Sequence, residues 1–334
     1  MFSKKIITIT GGTGSFGKKM INDLISNYKF KELRIISRDE MKQWHLQEKH
    51  KKIKDLKFII GDVRDKYSID RAIKGSDYVI HAAATKIVPT AEKNPVECIK
   101  TNINGAINVI ESCIKNKVKR VIALSTDKAC NPVNLYGATK LCSDKLFVSS
   151  NFLENNKLTK FAVVRYGNVM GSRGSVIPFF MKQKKKGKFT ITDKRMTRFM
   201  ISLDQAIDLV KLAFNDMRGG EIYISKIPSM KVIDIAKTIE KRNIIEYIGI
   251  RPGEKLDEVM ISKEDSYHTF EYKNYFKILP ALQDVYKNKK FIKSGKKVKN
   301  GFEYSSNTNT EWMTSRKFKN WLSQFIKSED YLDI

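Results

Sequence analysis

Cysteine is scarce in this sequence, and long apolar runs are missing. The 334 residues include four cysteines, Cys98, Cys113, Cys130 and Cys142, which lie too far apart for a paired metal-ligand motif. A chain of this length also buries enough core to fold without disulfides. No apolar run approaches the ~20 residues that span a bilayer, and residues 1–5 lead into a strand-like run without a signal peptide's apolar region. We therefore expect no metal site, no membrane span and a cytoplasmic location.

Acidic residues are also few compared with basic ones. The chain has 63 Lys and Arg against 36 Asp and Glu, a formal charge of +27. Clustered basic residues would favour nucleic-acid binding, because they neutralise phosphates. Here the lysines are spread along nearly every segment, the densest tract being residues 182–188, and no recognisable nucleic-acid-binding motif is present. We therefore expect no nucleic-acid partner and attribute the charge to a lysine-rich composition, which also attracts an anionic nucleotide substrate.

Apolar strand-like runs alternate with amphipathic segments from Lys5 to Arg165, which predicts βαβ units and a parallel sheet. The predicted strands are Ile6–Thr10, Leu33–Ser37, Lys57–Gly61, Tyr78–His81, Val121–Ser125 and Phe161–Arg165. We expect an α/β fold with a Rossmann-type doubly wound parallel sheet, formed by a nucleotide-binding domain over residues 1–165.

The regular alternation fades in the second half of the chain. Helix-like segments at Leu203–Asn215 and Val232–Arg242 are mixed with short extended runs such as Glu221–Ser225, and the chain from Lys287 onward is polar and predicts loops. We expect residues 166–334 to form mainly a smaller α/β substrate-binding domain, with some segments returning to the first domain.

A glycine-rich turn follows the first predicted strand. Gly11, Gly14 and Gly17 satisfy a Gly-x-x-Gly-x-x-Gly pattern, and Gly12 with the latter two satisfies Gly-x-Gly-x-x-Gly. Glycine permits the tight turn and lets amides at the following helix N-terminus approach a pyrophosphate. Such loops also make ordinary turns, but the position between a strand and a helix favours a dinucleotide site. The predicted cofactor contacts of this turn are Gly11, Thr13, Gly14, Ser15, Phe16 and Gly17.

The residues after the second predicted strand favour NADP over NAD. An NAD site usually offers an acid to the ribose 2′-hydroxyl, whereas here Ser37 and Arg38 come first, with Lys42 one helical turn further on. A hydroxyl and two cations suit a 2′-phosphate. Asp39, an acid, argues for NAD instead. The alternative is that these residues form a solvated charged turn without a role in cofactor binding. Further cofactor contacts, or else plain loops, are expected after the third and fourth strands at Asp62, Val63, Ala82, Ala83 and Ala84.

A Tyr-x-x-x-Lys pair follows the fifth predicted strand. On a helix, Tyr136 and Lys140 lie on one face, where a buried ammonium favours the phenolate over the phenol. The spacing recurs at Tyr286 and Lys290, in a polar segment with no strand or acid before it, which we interpret as solvated surface. The first copy is preceded by a strand and by the polar residues 126–128, at the sheet edge where α/β proteins bind ligands. We therefore predict that Tyr136 is a catalytic base.

With these motifs the chain resembles an extended short-chain dehydrogenase/reductase, and more narrowly the inverting UDP-N-acetylglucosamine 4,6-dehydratase family of bacterial pseudaminic acid synthesis. The resemblance covers nearly the whole length. Its motifs are Gly-Gly-Thr-Gly-Ser-Phe-Gly (11–17), Ser-Arg-Asp-Glu (37–40), His-Ala-Ala-Ala-x-Lys (81–86), Ser-Thr-Asp-Lys-Ala (125–129), Asn-Leu-Tyr-Gly-Ala-Thr-Lys (134–140), Arg-Tyr-Gly-Asn-Val (165–169), Gly-Ser-Arg-Gly-Ser-Val (171–176), Met-Thr-Arg-Phe (196–199) and Ile-Arg-Pro-Gly-Glu-Lys (250–255). Lys128 discriminates most, since retaining dehydratases carry glutamate after the aspartate and related 4-epimerases lack this acid–base pair.

The resemblance implies a redox-neutral loss of water from UDP-N-acetylglucosamine, with a hydride lent to NADP+ and returned. Tyr136, assisted by Lys140, would take the proton of the 4-hydroxyl, and Thr126 would hydrogen-bond the 4-oxygen. Lys128 would remove the carbon 5 proton, which requires a neutral amine and therefore a lowered pKa from burial or neighbouring cations. Asp127 would be protonated to help the 6-hydroxyl leave, although a plain Asp127–Lys128 salt bridge is the alternative. The product would be UDP-2-acetamido-2,6-dideoxy-beta-L-arabino-hex-4-ulose, inverted at carbon 5.

For the nucleotide sugar, the resemblance implies contacts from Asn168, Arg198, Arg251 and Glu254. These side chains suit an amide contact, the diphosphate charge and ribose hydroxyls. Lys86 is a further candidate, placed beside both cofactor and sugar.

Three residues depart from the family pattern. Ile87 stands where relatives have histidine, Met200 where they have an aromatic residue, and Asp257 where histidine is common, which affects the details of the sugar pocket. Relatives form dimers or hexamers, so a homo-oligomer is expected. The alternatives are a retaining dehydratase, a non-catalytic NADP sensor, a nucleic-acid binder, and a 4-epimerase or simple reductase, which would have no use for Asp127 and Lys128.

Overall fold

Strands and helices alternate regularly in the first half of the chain. The computed structural model describes residues 1–281 and 289–327. The strands of this half are β1 (Ile6–Thr10), β2 (Glu32–Ser37), β3 (Leu56–Ile60), β4 (Tyr78–His81), β5 (Arg120–Thr126) and β6 (Lys160–Tyr166). The helices are α1 (Ser15–Asn27), α2 (Glu40–Lys49), α3 (Lys66–Ile73), α4 (Val88–Lys93), α5 (Pro95–Ile99), α6 (Gly105–Lys115) and α7 (Leu135–Ser149). The predicted strands of this half are confirmed, each to within one residue at either end.

Short strands and helices of varied length make up the second half. The strands are β7 (Asn168–Val169), β8 (Lys188–Ile191), β9 (Thr197–Ile201), β10 (Ile222–Ser225), β11 (Ser229–Lys231), β12 (Ile244–Tyr247), β13 (Val259–Ile261), β14 (Thr269–Glu271), β15 (Tyr275–Ile278), β16 (Lys296–Lys297) and β17 (Tyr304–Ser305). The helices are α8 (Val176–Lys184), α9 (Leu203–Asp216), α10 (Val232–Ile239), α11 (Lys289–Ile292) and α12 (Ser315–Ile326). The predicted helix from Leu203 is confirmed as α9, whereas the one from Val232 ends at Ile239, three residues early.

The main sheet has ten strands in the order β16-β14-β15-β10-β6-β5-β4-β1-β2-β3. Neighbours from β10 to β3 pair in parallel, and β15, β14 and β16 continue the sheet antiparallel. The central strands are apolar on both faces because helices cover both sides, and residues 161–164 of β6 are fully buried. The strand order reverses between β1 and β4, where such sheets bind ligands at the carboxyl ends of the strands. The predicted Rossmann-type doubly wound parallel sheet is confirmed.

Parts of the second half belong to the core of the main sheet. Helix α9 packs beside α1, where Lys211 pairs with Asp23 at 3.0 Å. Ile207 and Phe214 of α9 are buried in the same apolar core as the first strands. Strand β10 then extends the parallel sheet beside β6. The chain therefore returns to the main sheet after it has contributed to the smaller part of the molecule.

A second apolar core is built from α8, β8, α10 and α12 and includes Phe180 and Phe189. The prediction of loops near the end of the chain is wrong for α12, where Phe318, Leu322 and Phe325 are buried on one face. These residues are spaced four and three apart, the period of an amphipathic helix. The surrounding lysines and polar residues obscured that period in the sequence.

The second Tyr-x-x-x-Lys copy falls at the boundary of the described residues. Tyr286 and residues 287–288 lie outside the described residues, while Lys290 belongs to α11. Within residues 1–281 and 289–327, no helix is both long enough and apolar enough to cross a membrane.

Candidate active site

A cleft of about 860 Å³ follows the carboxyl ends of the parallel strands. Its far wall includes Phe180 and Val232 of the second core. All residues predicted above to contact cofactor, sugar or reacting atoms line this cleft. Residues as distant in sequence as Gly11, Tyr136 and Glu254 therefore share one site.

The glycine-rich turn forms one end of the cleft, between β1 and α1. Gly14 is the N-cap of α1 and makes no side-chain cap hydrogen bond, so the first amides of the helix have no capping partner from it. A Cβ on Gly17 would lie 2.3 Å from the carbonyl oxygen of Gly12, so only glycine allows this close packing. Amides at a helix N-terminus and an approachable backbone fit a pyrophosphate.

The charged residues after β2 are paired with one another. Asp39 caps α2, accepting from the Lys42 amide at 3.0 Å, and also forms an ion pair with the Lys42 ammonium. Hydrogen bonds from Lys42 hold the pKa of Asp39 below its usual value. Arg38 lies 3.9 Å from Asp62, which also pairs with Arg64 at 2.6 Å. The Asp39 carboxylate is therefore already compensated by a cation, and Arg38 is 58% exposed at the edge of the cleft.

A sharp turn and a helix cap bring Tyr136 over the end of β5. Residues 127–129 form one 3₁₀ turn, and Asn134 caps α7 by accepting from the Gly137 amide at 2.8 Å. A Cβ on Gly137 would lie only 2.2 Å from the carbonyl oxygen of Lys128. The absence of a side chain at position 137 therefore lets α7 pack directly on the turn that carries Asp127 and Lys128.

Four charged side chains meet at this turn. The ammonium of Lys128 lies 3.0 Å from Asp127 Oδ1 and 3.0 Å from Glu258 Oε1, and Arg198 lies 3.7 Å from the same glutamate oxygen. Asp127 and Glu258 are buried. The Asp127–Lys128 salt bridge considered above is therefore present, but it is part of a larger cluster.

The cluster changes the proton affinities of its members. Burial raises the pKa of Asp127, and the negative charge of Glu258 adds to this effect. Burial works against the Lys128 ammonium, but Asp127 and Glu258 outweigh it and raise the pKa of Lys128 above its usual value. The raised pKa of Asp127 agrees with a role as acid. The expected lowered pKa of Lys128 is wrong for this arrangement, because two carboxylates rather than cations are its nearest charged neighbours.

Tyr136 is buried at the centre of the cleft. Burial raises its pKa to about 12, while the charge of Lys128 and a hydrogen bond with Thr126 act in the opposite direction. Thr126 also donates to Asp127 at 3.0 Å. The sequence predicted that Lys140 would be the cation favouring the phenolate, whereas in the structure Lys128 has the larger effect on Tyr136.

Lys140 lies behind Tyr136 on α7, where it is 3% exposed. Burial lowers its pKa against the opposing charge of Asp144, one turn further along the helix. Asp144 is itself held by Ser125, which donates at 2.7 Å, and by Arg165 at 3.4 Å. Asp144, held in place by these contacts, therefore supplies a counter-charge that partly opposes the effect of burial on Lys140.

The predicted substrate arginines have different surroundings. Arg198 donates to the carbonyl oxygens of Leu256 at 2.8 Å and Lys255 at 3.0 Å, so it holds the loop before β13 in place. Arg251 is 59% exposed and pairs with Glu254, donating from Nε at 3.0 Å. Arg251 is therefore an exposed side chain paired with Glu254, whereas Arg198 is buried and holds a loop.

Asn168 and Lys86, also predicted to bind the substrate, differ in their hydrogen bonding. Asn168 Oδ1 is buried and accepts no hydrogen bond from any described residue, which suits contact with a ligand amide. Lys86 donates to the carbonyl oxygen of Arg173 at 3.0 Å. Of the departures, Ile87 lines the cleft, Met200 is buried in the second core, and Asp257 accepts from Thr197 at 2.6 Å.

Sequence reasoning missed Glu258. It lies directly before β13, more than a hundred residues after Lys128. Its one local signal was an acidic residue entering a buried strand, where a charge without a partner is costly. The identity of that partner depends on tertiary packing, which brings β13 against the 127–129 turn.

The fold and the cleft together define an extended short-chain dehydrogenase/reductase, with a Rossmann-type sheet and a smaller part closing its ligand cleft. The family model described as "Polysaccharide biosynthesis protein" matches residues 7–280. The chain belongs to this family. The resemblance to inverting UDP-N-acetylglucosamine 4,6-dehydratases is also confirmed by full-length relatives.

One such relative, from Campylobacter jejuni subsp. jejuni serotype O:2, is named UDP-N-acetylglucosamine 4,6-dehydratase (inverting) and is 53% identical over 324 residues, 95% of this chain and 97% of that protein. A relative from Rickettsia canadensis, named UDP-glucose 4-epimerase, is 43% identical over 330 residues, 96% of each chain. Both similarities extend through the cleft-forming segments.

Solved structures agree with the fold. Pen from Bacillus thuringiensis has 36% sequence identity and a TM-score of 0.88, covering 97% of this chain and 99% of its own. A dTDP-glucose 4,6-dehydratase from Streptomyces venezuelae, DesIV, solved with NAD and TYD bound, has 19% identity and a TM-score of 0.67, covering 75% of this chain and 86% of its own. The latter similarity supports the fold alone.

Proposed function

We propose that this protein is a UDP-N-acetylglucosamine 4,6-dehydratase that inverts the configuration of carbon 5. The observation that carries the proposal is that the buried Asp127 and Tyr136 share one cleft with the half-buried Lys128. In this proposal Tyr136 is the base for the 4-hydroxyl, Asp127 the acid for the leaving 6-hydroxyl and Lys128 the base for carbon 5. The name of the Campylobacter relative supports the same activity.

NADP is the cofactor that we propose for this cleft. The glycine-rich turn and the uncapped amides of α1 suit its pyrophosphate, and Ser37, Arg38 and Lys42 suit its 2′-phosphate. Asp39 argues less strongly for NAD than it did in the sequence, because it is paired with Lys42. Bound NADP+ would supply the hydride acceptor for carbon 4 and return the hydride at carbon 6.

Tyr136 would remove the proton of the 4-hydroxyl, with Thr126 holding the 4-oxygen. Its pKa of about 12 is too high for a base at neutral pH. The charge of Lys128 already opposes this rise, and the positive nicotinamide would add to its effect and favour the phenolate in the loaded enzyme. Lys140, one helical turn after Tyr136 on α7, would contribute further positive charge.

Asp127 and Lys128 would act as a pair in the elimination. A ketone at carbon 4 acidifies the carbon 5 proton, but Lys128 at rest is an ammonium and cannot accept it. One proton transfer from Lys128 to Asp127, across 3.0 Å, produces both groups that the step needs. The neutral amine then takes the carbon 5 proton, and the carboxylic acid protonates the departing 6-hydroxyl.

The experiment that tests this function is incubation of the purified protein with UDP-N-acetylglucosamine in heavy water, followed by NMR of the sugar protons. We expect a 4-keto-6-deoxy product with deuterium at carbon 5 and inverted configuration there, without net accumulation of NADPH. A product that retains its configuration would indicate a retaining dehydratase. The 4-epimer without loss of water would indicate the activity named for the Rickettsia relative.

Other expectations from the sequence remain proposals. These are assembly as a dimer or hexamer, a place in pseudaminic acid synthesis, a cytoplasmic location, and the division into domains at residue 165. Size-exclusion chromatography with light scattering would measure the assembly state.

A further inference from the structure

We infer that Glu258 is a positioning residue that holds the Lys128 amine beside Asp127 and fixes the number of protons that this pair carries. The inference rests on the proposed function, since it assigns Glu258 a part in the elimination step. It concerns a residue that neither the motifs nor the named relatives identified.

Lys128 lies between two carboxylates, those of Asp127 and Glu258, which come from different parts of the chain. Asp127 is its neighbour in sequence, so their proximity follows from the chain itself. Glu258 reaches the same ammonium from a different part of the molecule, at 3.0 Å. With both partners present, Lys128 Nζ is held from two sides and cannot turn further toward solvent without leaving the buried carboxylate of Glu258 without its ion pair.

Glu258 is held rigidly from its main chain. Its amide donates to Ser306 Oγ at 2.9 Å, and its carbonyl oxygen accepts from the Ser306 amide at 2.8 Å. Arg198, itself fixed to the loop of residues 255–256, lies 3.7 Å from the carboxylate. The carboxylate therefore has a defined position set by elements outside the 127–129 turn. Its Oε2 is buried and accepts no hydrogen bond from any described residue, which costs folding free energy. The ionised carboxylate is stabilised instead by the nearby charges of Lys128 and Arg198.

The charges around the pair set its proton count. The ionisable groups facing Asp127 and Glu258 from the packed elements are Lys128, Arg198, Lys255 and Tyr136. Burial would raise the pKa of Glu258, but Lys128 and Arg198 outweigh it and hold that pKa below its usual value. Glu258 therefore stays ionised, while Asp127 is the carboxyl that takes up a proton. A permanent charge beside the pair favours retention of the one proton that the pair shares.

The decisive experiment compares Glu258→Gln with the wild-type enzyme in the heavy-water assay across pH. Removing the negative charge lowers the proton affinity of both Asp127 and Lys128, so we expect the bell-shaped profile of kcat to move to lower pH. We also expect kcat at the wild-type optimum to fall about 10²-fold, the usual cost of misplacing a catalytic group by about 1 Å. KM should be nearly unchanged. A merely structural residue would lower kcat without moving the profile.

A readout independent of turnover is the infrared band of the protonated Asp127 carboxyl in the ligand-free protein, assigned by its loss in Asp127→Asn. In Glu258→Gln this band should disappear at a lower pH than in the wild type. The matched control is Glu264→Gln, which removes the same charge from an exposed position nearby and should leave band and profile in place.

Glu258→Asp separates the effect of the negative charge from the effect of side-chain length. It also provides a test if Glu258→Gln does not fold. It keeps the charge but is one methylene shorter, so kcat should fall while the profile stays at the wild-type pH. An unshifted profile and band in folded Glu258→Gln, or wild-type kcat in Glu258→Asp, would overturn the inference. Failure of the wild type itself to form the inverted 4-keto-6-deoxy product would instead overturn the proposed function.

Discussion

The two ends of the cleft use charge in different ways. At the cofactor end, Arg38 and Asp39 are 58% and 39% exposed. At the catalytic end, Asp127 and Glu258 are 1% and 2% exposed. Exposed pairs are screened by water and contribute little energy, whereas buried charges interact strongly enough to change proton affinities. The exposed end is therefore suited to recognising an anion, and the buried end to moving protons.

Removal of the Lys128 ammonium at the catalytic end of the cleft should have the largest effect on activity. Lys128→Met should bind cofactor and UDP-N-acetylglucosamine yet form product about 10²–10⁴-fold more slowly, because the carbon 5 proton has no acceptor. Oxidation at carbon 4 can persist, so bound NADPH should accumulate and be visible by absorbance. Lys145→Met, an exposed lysine of α7, is the matched control. A near wild-type rate for Lys128→Met would place the base elsewhere.

The packing of α7 on the turn of residues 127–129 can be disrupted without removing any charge. Gly137→Ala puts a Cβ 2.2 Å from the Lys128 carbonyl oxygen, so the helix or the turn must move. We expect a loss of about 1–3 kcal/mol in the free energy of unfolding and about a 10²-fold fall in kcat. Cys142→Ala, at an exposed position of the same helix, should change neither quantity. Normal activity in Gly137→Ala would mean that this contact does not position Tyr136.

A charge change at the exposed end should affect recognition but not chemistry. Arg38→Asp should weaken NADP binding about 10- to 100-fold relative to NAD, since hydrogen bonds to charged groups contribute about 1.5–3 kcal/mol. Calorimetry with both cofactors measures the difference, and added salt should reduce it because the site is exposed. Lys52→Asp removes a cation from an exposed position further along the chain and serves as control. Equal losses for both cofactors would contradict the assignment of Arg38 to the 2′-phosphate.

The buried end should also make the fold sensitive to acid. His81 is buried at the end of β4 and hydrogen-bonded to Thr10 at 2.8 Å, and burial with the charge of Lys140 lowers its pKa from 6.5 to about 3. Between these values the unfolded chain binds the extra proton and the folded one does not, so stability falls as pH drops below 6.5. The expected loss from this group is about 1.4 kcal/mol at pH 5.5.

Urea unfolding at pH 7.5 and pH 5.5 tests this prediction. His81→Gln should show a smaller difference in unfolding free energy between the two pH values than the wild type. The exposed His45 is the matched control, and His45→Gln should keep the wild-type difference. The same pH dependence in His81→Gln as in the wild type would rule out His81 as the source.

Predictions of secondary structure from short stretches of sequence were correct where the pattern of apolar residues and glycines was regular. The strands up to β6 and the turn from Gly11 to Gly17 follow from apolar runs and from residues that permit tight backbone packing. Helix α12 was missed because lysines and polar residues surround its apolar stripe of Phe318, Leu322 and Phe325. The predicted site residues share one cleft, since the carboxyl ends of parallel strands meet at one edge of the sheet.

The sequence by itself determined the parallel sheet, the position of the glycine turn, and the presence of an acid, an amine and a tyrosine within ten residues of one another. These features depend on side-chain type and spacing, which are local. Tertiary structure alone decided that Glu258 completes the cluster, that Asp127 has a raised pKa and that Lys128 rests as an ammonium. Proton affinity depends on burial and on charges within a few ångströms, and those neighbours come from parts of the chain that the sequence does not place side by side.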